Sequence, residues 1–185
     1  ARTGYTVEIG YEIFIPNDNA SKIWNRLLES SSQEKLIPCG LGARDILRLE
    51  SCYLLYGNDM NETITPLEAG ISWAIAFDAK NFIGKDILVQ QKVKGVPRQL
   101  VAFEMEDKAI ARHEMQILYN EKVVGYVSSG SFLPVINKGG GLALINAEYS
   151  LVGMHLEVDI RNKRKKCVIV KKPFYKAKCK DKVII

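Results

Sequence analysis

Two arginines in the segment 38–50, Arg44 and Arg48, are the first candidates for contact with a ligand. A glycine-containing entry followed by regularly spaced apolar residues predicts a short helix here. The two arginines stand four residues apart and therefore share one face of that helix. A guanidinium group is a preformed fork for anionic or planar polar groups. Two interpretations stay open: a solvated helix in which Asp45 offsets the repulsion between the arginines, or a helix that points one arginine into a pocket.

Tyr5 and Glu12 form a second candidate group, near the start of the chain. Glu12 stands in a run in which Tyr11, Ile13 and Ile15 alternate with other residues, a pattern that predicts a half-buried strand. Its carboxylate either faces solvent or accepts two N–H groups from a heteroaromatic edge, such as that of a pterin or guanine. Tyr5 either packs in a core or contacts the same ligand.

Other reactive residues give weaker patterns. Asp59 and Glu62 could form an acid–base pair, although a loop of Asn, Asp and Glu more often makes turns. The segment 128–131 lacks the strand-to-helix setting of a serine nucleophile. The cysteines are too scattered for a zinc site and indicate reduced thiols; they are Cys39, Cys52, Cys167 and Cys179.

The composition is that of a globular chain, with 185 residues of which 47% are hydrophobic and 25% charged. No apolar run is long enough to span a bilayer, and there is no secretory signal pattern. The chain does not begin with Met, so we expect a fragment or a processed chain. The net charge is +5, and 161–182 holds 11 basic residues and one acid. This block is either a solvated face or a surface for acidic partners, and no nucleic-acid-binding signature accompanies it.

The elements that must position these residues fall into two regions. Helices are predicted over 19–32, within 38–50 and over 84–93, and a strand over 73–77. A linker at 94–97 predicts a boundary between a region 1–94 and a region 95–185. The second region contains six strand-like runs and predicts a small antiparallel barrel or sandwich; the runs are 100–104, 115–119, 122–128, 142–146, 156–161 and 166–172. Asn120 and Glu121 predict a hairpin turn, and the glycines 139–141 predict a flexible loop.

Several of these stretches together resemble a known family. RTGYT at 2–6, followed by GYEI at 10–13, resembles the RTGYTGEDGFE motif of the glycine cleavage system T-proteins, the aminomethyltransferases. PCGLGARDILRLE at 38–50 is similar to that family's PxGLGARDxLRLE, and LYGNDMNETITPLEAG at 55–70 to its LYGxDxxxxxTPxEAGL. FIGK at 82–85, GYVSSG at 125–130 and KPF at 172–174 continue the resemblance in family order. Related families are other folate-dependent one-carbon enzymes and the folate-binding iron–sulfur assembly proteins; the latter carry a KGCYxGQE-type motif, which this sequence lacks.

The resemblance implies a fold and an activity. The fold is α+β, the end of a ferredoxin-like folate-binding region followed by a small antiparallel β-barrel. The activity takes the aminomethyl group from the lipoyl arm of the H-protein, releases ammonia and passes the carbon to tetrahydrofolate. We expect no nucleic-acid or membrane partner. The expected compartment is the cytoplasm of a bacterium or the mitochondrial matrix of a eukaryote.

The resemblance also implies roles for individual residues. Glu12 is expected to pair with the pterin edge, Tyr5 to line the ring and Arg44 to anchor the folate cavity. Arg48 is then structural, paired with Asp45 or near Glu50. The family's essential aspartate lies upstream of residue 1, so we expect no catalytic residue in this chain and little activity from it alone.

Three departures from the family pattern leave alternatives open. Val7 and Ile9 replace the family's Gly and Asp, and a β-branched residue tolerates a positive φ poorly. Cys179 is only the nearest position to a folate-contacting residue at the family's C-terminus. A non-catalytic folate-binding or regulatory module and a folate-dependent demethylase relative are the alternatives. The basic block could contact an acidic H-protein.

Overall fold

The computed structural model describes residues 4–30 and 36–176. The first part of the chain is helical, with α1 (Ala20–Ser30), α2 (Leu41–Glu50) and α3 (Lys85–Lys94), and with short 3-10 turns at Asn17–Asn19 and Ser72–Ala74. Six strands follow: β1 (Arg98–Met105), β2 (Gln116–Tyr119), β3 (Lys122–Leu133), β4 (Lys138–Asn146), β5 (His155–Ile160) and β6 (Lys163–Val170). Each of the six strand-like runs of the sequence is therefore a strand. No helix among the described residues has the length and apolarity to cross a membrane.

The six strands form a closed antiparallel barrel in the order β1-β4-β3-β2-β5-β6. The barrel closes because β1 pairs with β4 along one edge and with β6 along the other. Successive side chains of a strand point to opposite faces, so alternate residues fill the interior. On β1 these are Val101, Phe103 and Met105, and on β4 they are Ala143 and Ile145. The predicted α+β fold that ends in a small antiparallel barrel is confirmed.

The other face of the same strands is also buried. Leu100 and Ala102 of β1 belong to a second apolar cluster, which includes Leu49 of α2 together with Ile64 and Ala69. Strands that are buried on both faces read as nearly continuous apolar runs, which is why β1 and β4 were recognisable in the sequence. This second cluster attaches the segment 49–69 to the outside of the barrel.

Two predicted strands are wrong. Residues 10–16 have no regular structure, and the 3-10 turn Ser72–Ala74 begins where the strand 73–77 was predicted. A strand needs a neighbour that accepts and donates its backbone hydrogen bonds, and the described residues give neither segment such a neighbour. The alternation around Glu12 instead leaves Tyr11 73% and Phe14 83% exposed.

The flexible loop predicted at 139–141 is also wrong, because the three glycines lie in β4 and are buried. A side chain has no room there: a Cβ at Gly141 would lie 2.0 Å from the carbonyl oxygen of Ser129, and one at Gly139 would lie 2.1 Å from that of Ala109. The glycines therefore allow close strand packing. The hairpin turn at Asn120 and Glu121 is confirmed, with φ angles of 46° and 65°.

Candidate functional site

Tyr5, Arg44 and Tyr53 form a cluster beside α2. The guanidinium carbon of Arg44 lies 4.7 Å from the centre of the Tyr5 ring. The rings of Tyr5 and Tyr53 are stacked, with centres 5.9 Å apart and planes inclined by 28°. The Tyr5 hydroxyl donates a hydrogen bond to the carbonyl oxygen of Leu54. The structure thus brings together two of the three predicted site residues, although their role in binding folate stays a prediction.

The third predicted site residue, Glu12, is exposed and lies in the irregular segment 10–16. The bend between Tyr5 and Glu12 contains Val7, whose φ of 67° lies in the left-handed region. The hydroxyl of Tyr175 donates a hydrogen bond to Glu8 in the same bend, which connects it to the end of the described chain. The part of Glu12 in a folate site also stays a prediction. Cys179 lies outside the described residues.

Arg48, one turn after Arg44 on α2, is 1% exposed, and its guanidinium group joins several segments of the chain. The predicted pair with Asp45 is confirmed, with 2.8 Å between Arg48 Nε and Asp45 Oδ1. Arg48 Nη1 also contacts Asp59 Oδ2 at 2.6 Å, and Nη2 donates to Ser129 Oγ at 2.9 Å. Arg48 therefore links α2 to β3, while Arg44 stays on the exposed side of the helix.

Asp59 completes this buried group and is itself 0% exposed. Besides Arg48, its carboxylate accepts hydrogen bonds from Ser128 Oγ at 2.5 Å and from the backbone N–H of Leu55 at 2.9 Å. The last of these bonds is the turn chemistry expected of this loop. The other two bonds hold Asp59 between Arg48 of α2 and Ser128 of β3. Its carboxylate is therefore used in buried structural contacts, whereas Glu62 is exposed.

A cavity of about 420 Å³ opens beside Tyr5 and Tyr53. Trp73 and Lys172 also line it, and Lys172 is the one charged residue among the described lining residues. The remaining lining residues are Ser51, Cys52, Leu54, Met60, Ala69, Gly70, Ile71 and Pro173. The sequence interpretation missed Tyr53, Trp73 and Lys172. Their signal was weak, because an exposed aromatic residue or a lysine in a basic block has many ordinary explanations.

Burial shifts the pKa of three titratable groups that line the cavity. Burial raises the pKa of the Cys52 thiol to about 11, so this thiol is neutral near pH 7. Burial also raises the pKa of Tyr5, an effect that the nearby Arg48 charge partly opposes. Burial lowers the pKa of Lys172 from its ordinary value. The described lining therefore holds a neutral thiol and a partly desolvated amine, and it includes no carboxylate base.

Comparison with known families accounts for both parts of the chain. Residues 98–176 match the model of the glycine cleavage T-protein C-terminal barrel domain, and residues 1–79 match that of the GCVT N-terminal domain. The first matched region contains α1 and α2, and the second contains the whole closed barrel. The chain belongs to the glycine cleavage T-protein family.

Individual relatives agree with this assignment. The chain is 49% identical over 95% of its length to the aminomethyltransferase of Caldanaerobacter subterraneus, covering 47% of that protein. It is 50% identical over 98% of its length to the aminomethyltransferase of Thermosipho melanesiensis, covering 49% of that protein. The crystal structure of the glycine cleavage system aminomethyltransferase T from Bartonella henselae is similar with a TM-score of 0.87 at 28% identity, over 94% of this chain and 48% of that one. The chain spans about half the length of the relatives it matches.

Proposed function

We propose that the protein to which this chain belongs is a tetrahydrofolate-dependent aminomethyltransferase. It would move the aminomethyl carbon from lipoylated H-protein to tetrahydrofolate and release ammonia. The observation that carries the proposal is the contact of Arg44 with Tyr5 at 4.7 Å, formed by two motifs through which the chain resembles its family. The assignment of the family and the names of the relatives support it.

In this proposal the described residues bind and orient folate. Arg44 and Tyr5 form one wall of the site, Tyr53 extends it, and Glu12 accepts hydrogen bonds from the pterin edge. The catalytic carboxylate is expected outside this chain. Catalysis then depends on holding the folate nitrogens close to the aminomethyl donor, and the residues in this half contribute that positioning.

We also propose that the chain consists of two parts, a folate-binding part at 1–94 and a barrel at 95–185. The start of β1 at Arg98 and the separate family matches, 1–79 and 98–176, support this division. The cytoplasmic or mitochondrial location stays a prediction.

The first test is titration of the natural full-length protein with tetrahydrofolate. We expect Arg44→Ala and Glu12→Ala each to weaken binding about tenfold, because each removes a charged hydrogen-bonding group. Matched controls are Arg26→Ala and Glu29→Ala on α1, whose side chains are 81% and 67% exposed. We expect the controls to change the affinity less than about twofold. Unchanged affinity in both Arg44→Ala and Glu12→Ala contradicts the proposed site.

A second candidate function is a folate-binding or regulatory module without catalysis. The positive φ of Val7, where the family has Gly, favours it because this valine strains the bend between Tyr5 and Glu12. An assay of ammonia release from aminomethylated H-protein by the full-length protein separates the two candidates. Turnover supports the transferase, while tight folate binding without turnover supports the module.

A further inference from the structure

The cavity beside Tyr5 is lined by a positively charged residue, Lys172, which is not among the residues proposed above to bind folate. Lys172 is exposed as a residue, but its Nζ is turned toward the protein and donates a hydrogen bond to the carbonyl oxygen of Leu100 at 2.7 Å. The nitrogen lies against Gly70, where a Cβ would be in ordinary contact with it at 3.5 Å. The ammonium group is thus fixed at the cavity wall rather than free in solvent.

The ammonium group still has N–H donors that a ligand could use. It has three N–H donors, of which the Leu100 carbonyl takes one. None of the ion pairs among the described residues involves Lys172. Burial lowers the pKa of this amine, an effect that Cys52 and the Asp59 carboxylate partly oppose. An anionic ligand would add a direct ion pair.

The lining of this cavity distinguishes it from three other clefts among the described residues. Its described lining includes the rings of Tyr5, Tyr53 and Trp73 and no carboxylate. The clefts of about 710, 600 and 360 Å³ each include at least one carboxylate, such as Glu157, Asp107 or Glu114. Of these four cavities, that of Lys172 is the one whose described lining has a positive charge and no negative charge, which favours an anion there.

We propose that Lys172 binds a carboxylate of the ligand whose aromatic part packs along Tyr53 and Trp73. The ligand class is an aromatic compound that carries a carboxylate chain. This inference rests on the proposed function, in which that compound is the reduced folate and the carboxylates belong to its glutamyl end. Lys172 is then a specificity residue for the acidic end of the ligand.

The test compares two ligands on the natural full-length protein by calorimetric titration. One ligand is tetrahydrofolate, and the other is its diamide, in which neutral amides replace both glutamyl carboxylates. We expect wild-type protein to bind tetrahydrofolate about tenfold more tightly than the diamide, because a charge-assisted hydrogen bond is lost in the diamide. We expect Lys172→Met to reduce this ratio to about one, chiefly by weakening tetrahydrofolate.

Two further variants make the comparison specific. Lys171→Met is the matched control, since Lys171 is the exposed neighbour and does not line the cavity; it should keep the wild-type ratio. Lys172→Arg keeps the charge and should keep most of the preference. A wild-type ratio near one, or an undiminished ratio in Lys172→Met, overturns the inference while the proposed function stands. Failure of wild-type protein to bind either ligand overturns both.

Discussion

Val7 replaces the glycine of the family motif, and its backbone adopts a conformation that glycine favours. The family motif has Gly at this position, and a glycine adopts a positive φ without steric cost. In this chain the valine keeps a φ of 67°, next to the tyrosine that contacts Arg44. A β-branched residue in this region is strained, and surrounding contacts must hold it there.

The residue-scale prediction is that Val7→Gly stabilises the 185-residue chain. Relief of the strained φ outweighs the greater backbone entropy of glycine, and we expect a net gain of about 1 kcal/mol in the free energy of unfolding. Urea denaturation followed by circular dichroism measures it. Val123→Gly is the control, because Val123 is an exposed valine in β3 at 48% exposure, and it should lose stability. Equal losses in both variants would show that Val7 is not strained.

At the scale of elements, α2 is held to the barrel by a buried charged group as well as by apolar contact. Arg48 lies between Asp45 on its own helix, Asp59 in the following loop and Ser129 on β3. Removing one member of a buried ion pair leaves the other charge uncompensated, whereas an exposed pair contributes little. Asp59 and Asp45 have exposures of 0% and 51%, so they represent these two cases on one arginine.

The element-scale prediction concerns these two aspartates. We expect Asp59→Ala to cost about 3 kcal/mol or more of unfolding free energy, because it leaves the guanidinium group of Arg48 buried beside fewer acceptors. Asp45→Ala should cost about 1 kcal/mol or less, because water replaces that carboxylate. Urea denaturation of the two variants beside wild type is the measurement. Losses of similar size would mean that Arg48 reaches solvent when α2 loosens.

Elements with local signals were predictable, and elements that depend on distant neighbours were not. The helix α2 and the six barrel strands follow from periodicity and turn residues. The period-two run around Glu12 has the same local signal but no pairing strand among the described residues. The glycines 139–141 look flexible until Ser129 and Ala109 are placed against them. In the same way Arg44 could be predicted from a motif, whereas only the fold shows that Lys172 lines the cavity beside Tyr5.

At the scale of the whole molecule, buried residues are distributed very unevenly. α1 and α3 contain no buried residue, while α2 buries Arg48, Leu49 and Glu50. On the barrel, seven successive residues of β4 are buried, from Gly139 to Ile145. Helices of this length are marginal in water without packing. The barrel and α2 therefore form the stable part of this chain. α1 and α3 bury no residue, so we expect them to be less stable.

This distribution predicts the pattern of amide hydrogen exchange in the 185-residue chain. Amides of β1, β3 and β4 should exchange slowest, through global unfolding, and those of α1 and α3 within seconds to minutes, through local opening. α2 is the internal control, because it has the length of α3, with 10 residues each, but buries its last turn on the barrel. Exchange followed by mass spectrometry on peptides from each element measures this. Protection of α3 equal to that of α2 would contradict it, because the buried last turn of α2 would then not be the source of its protection.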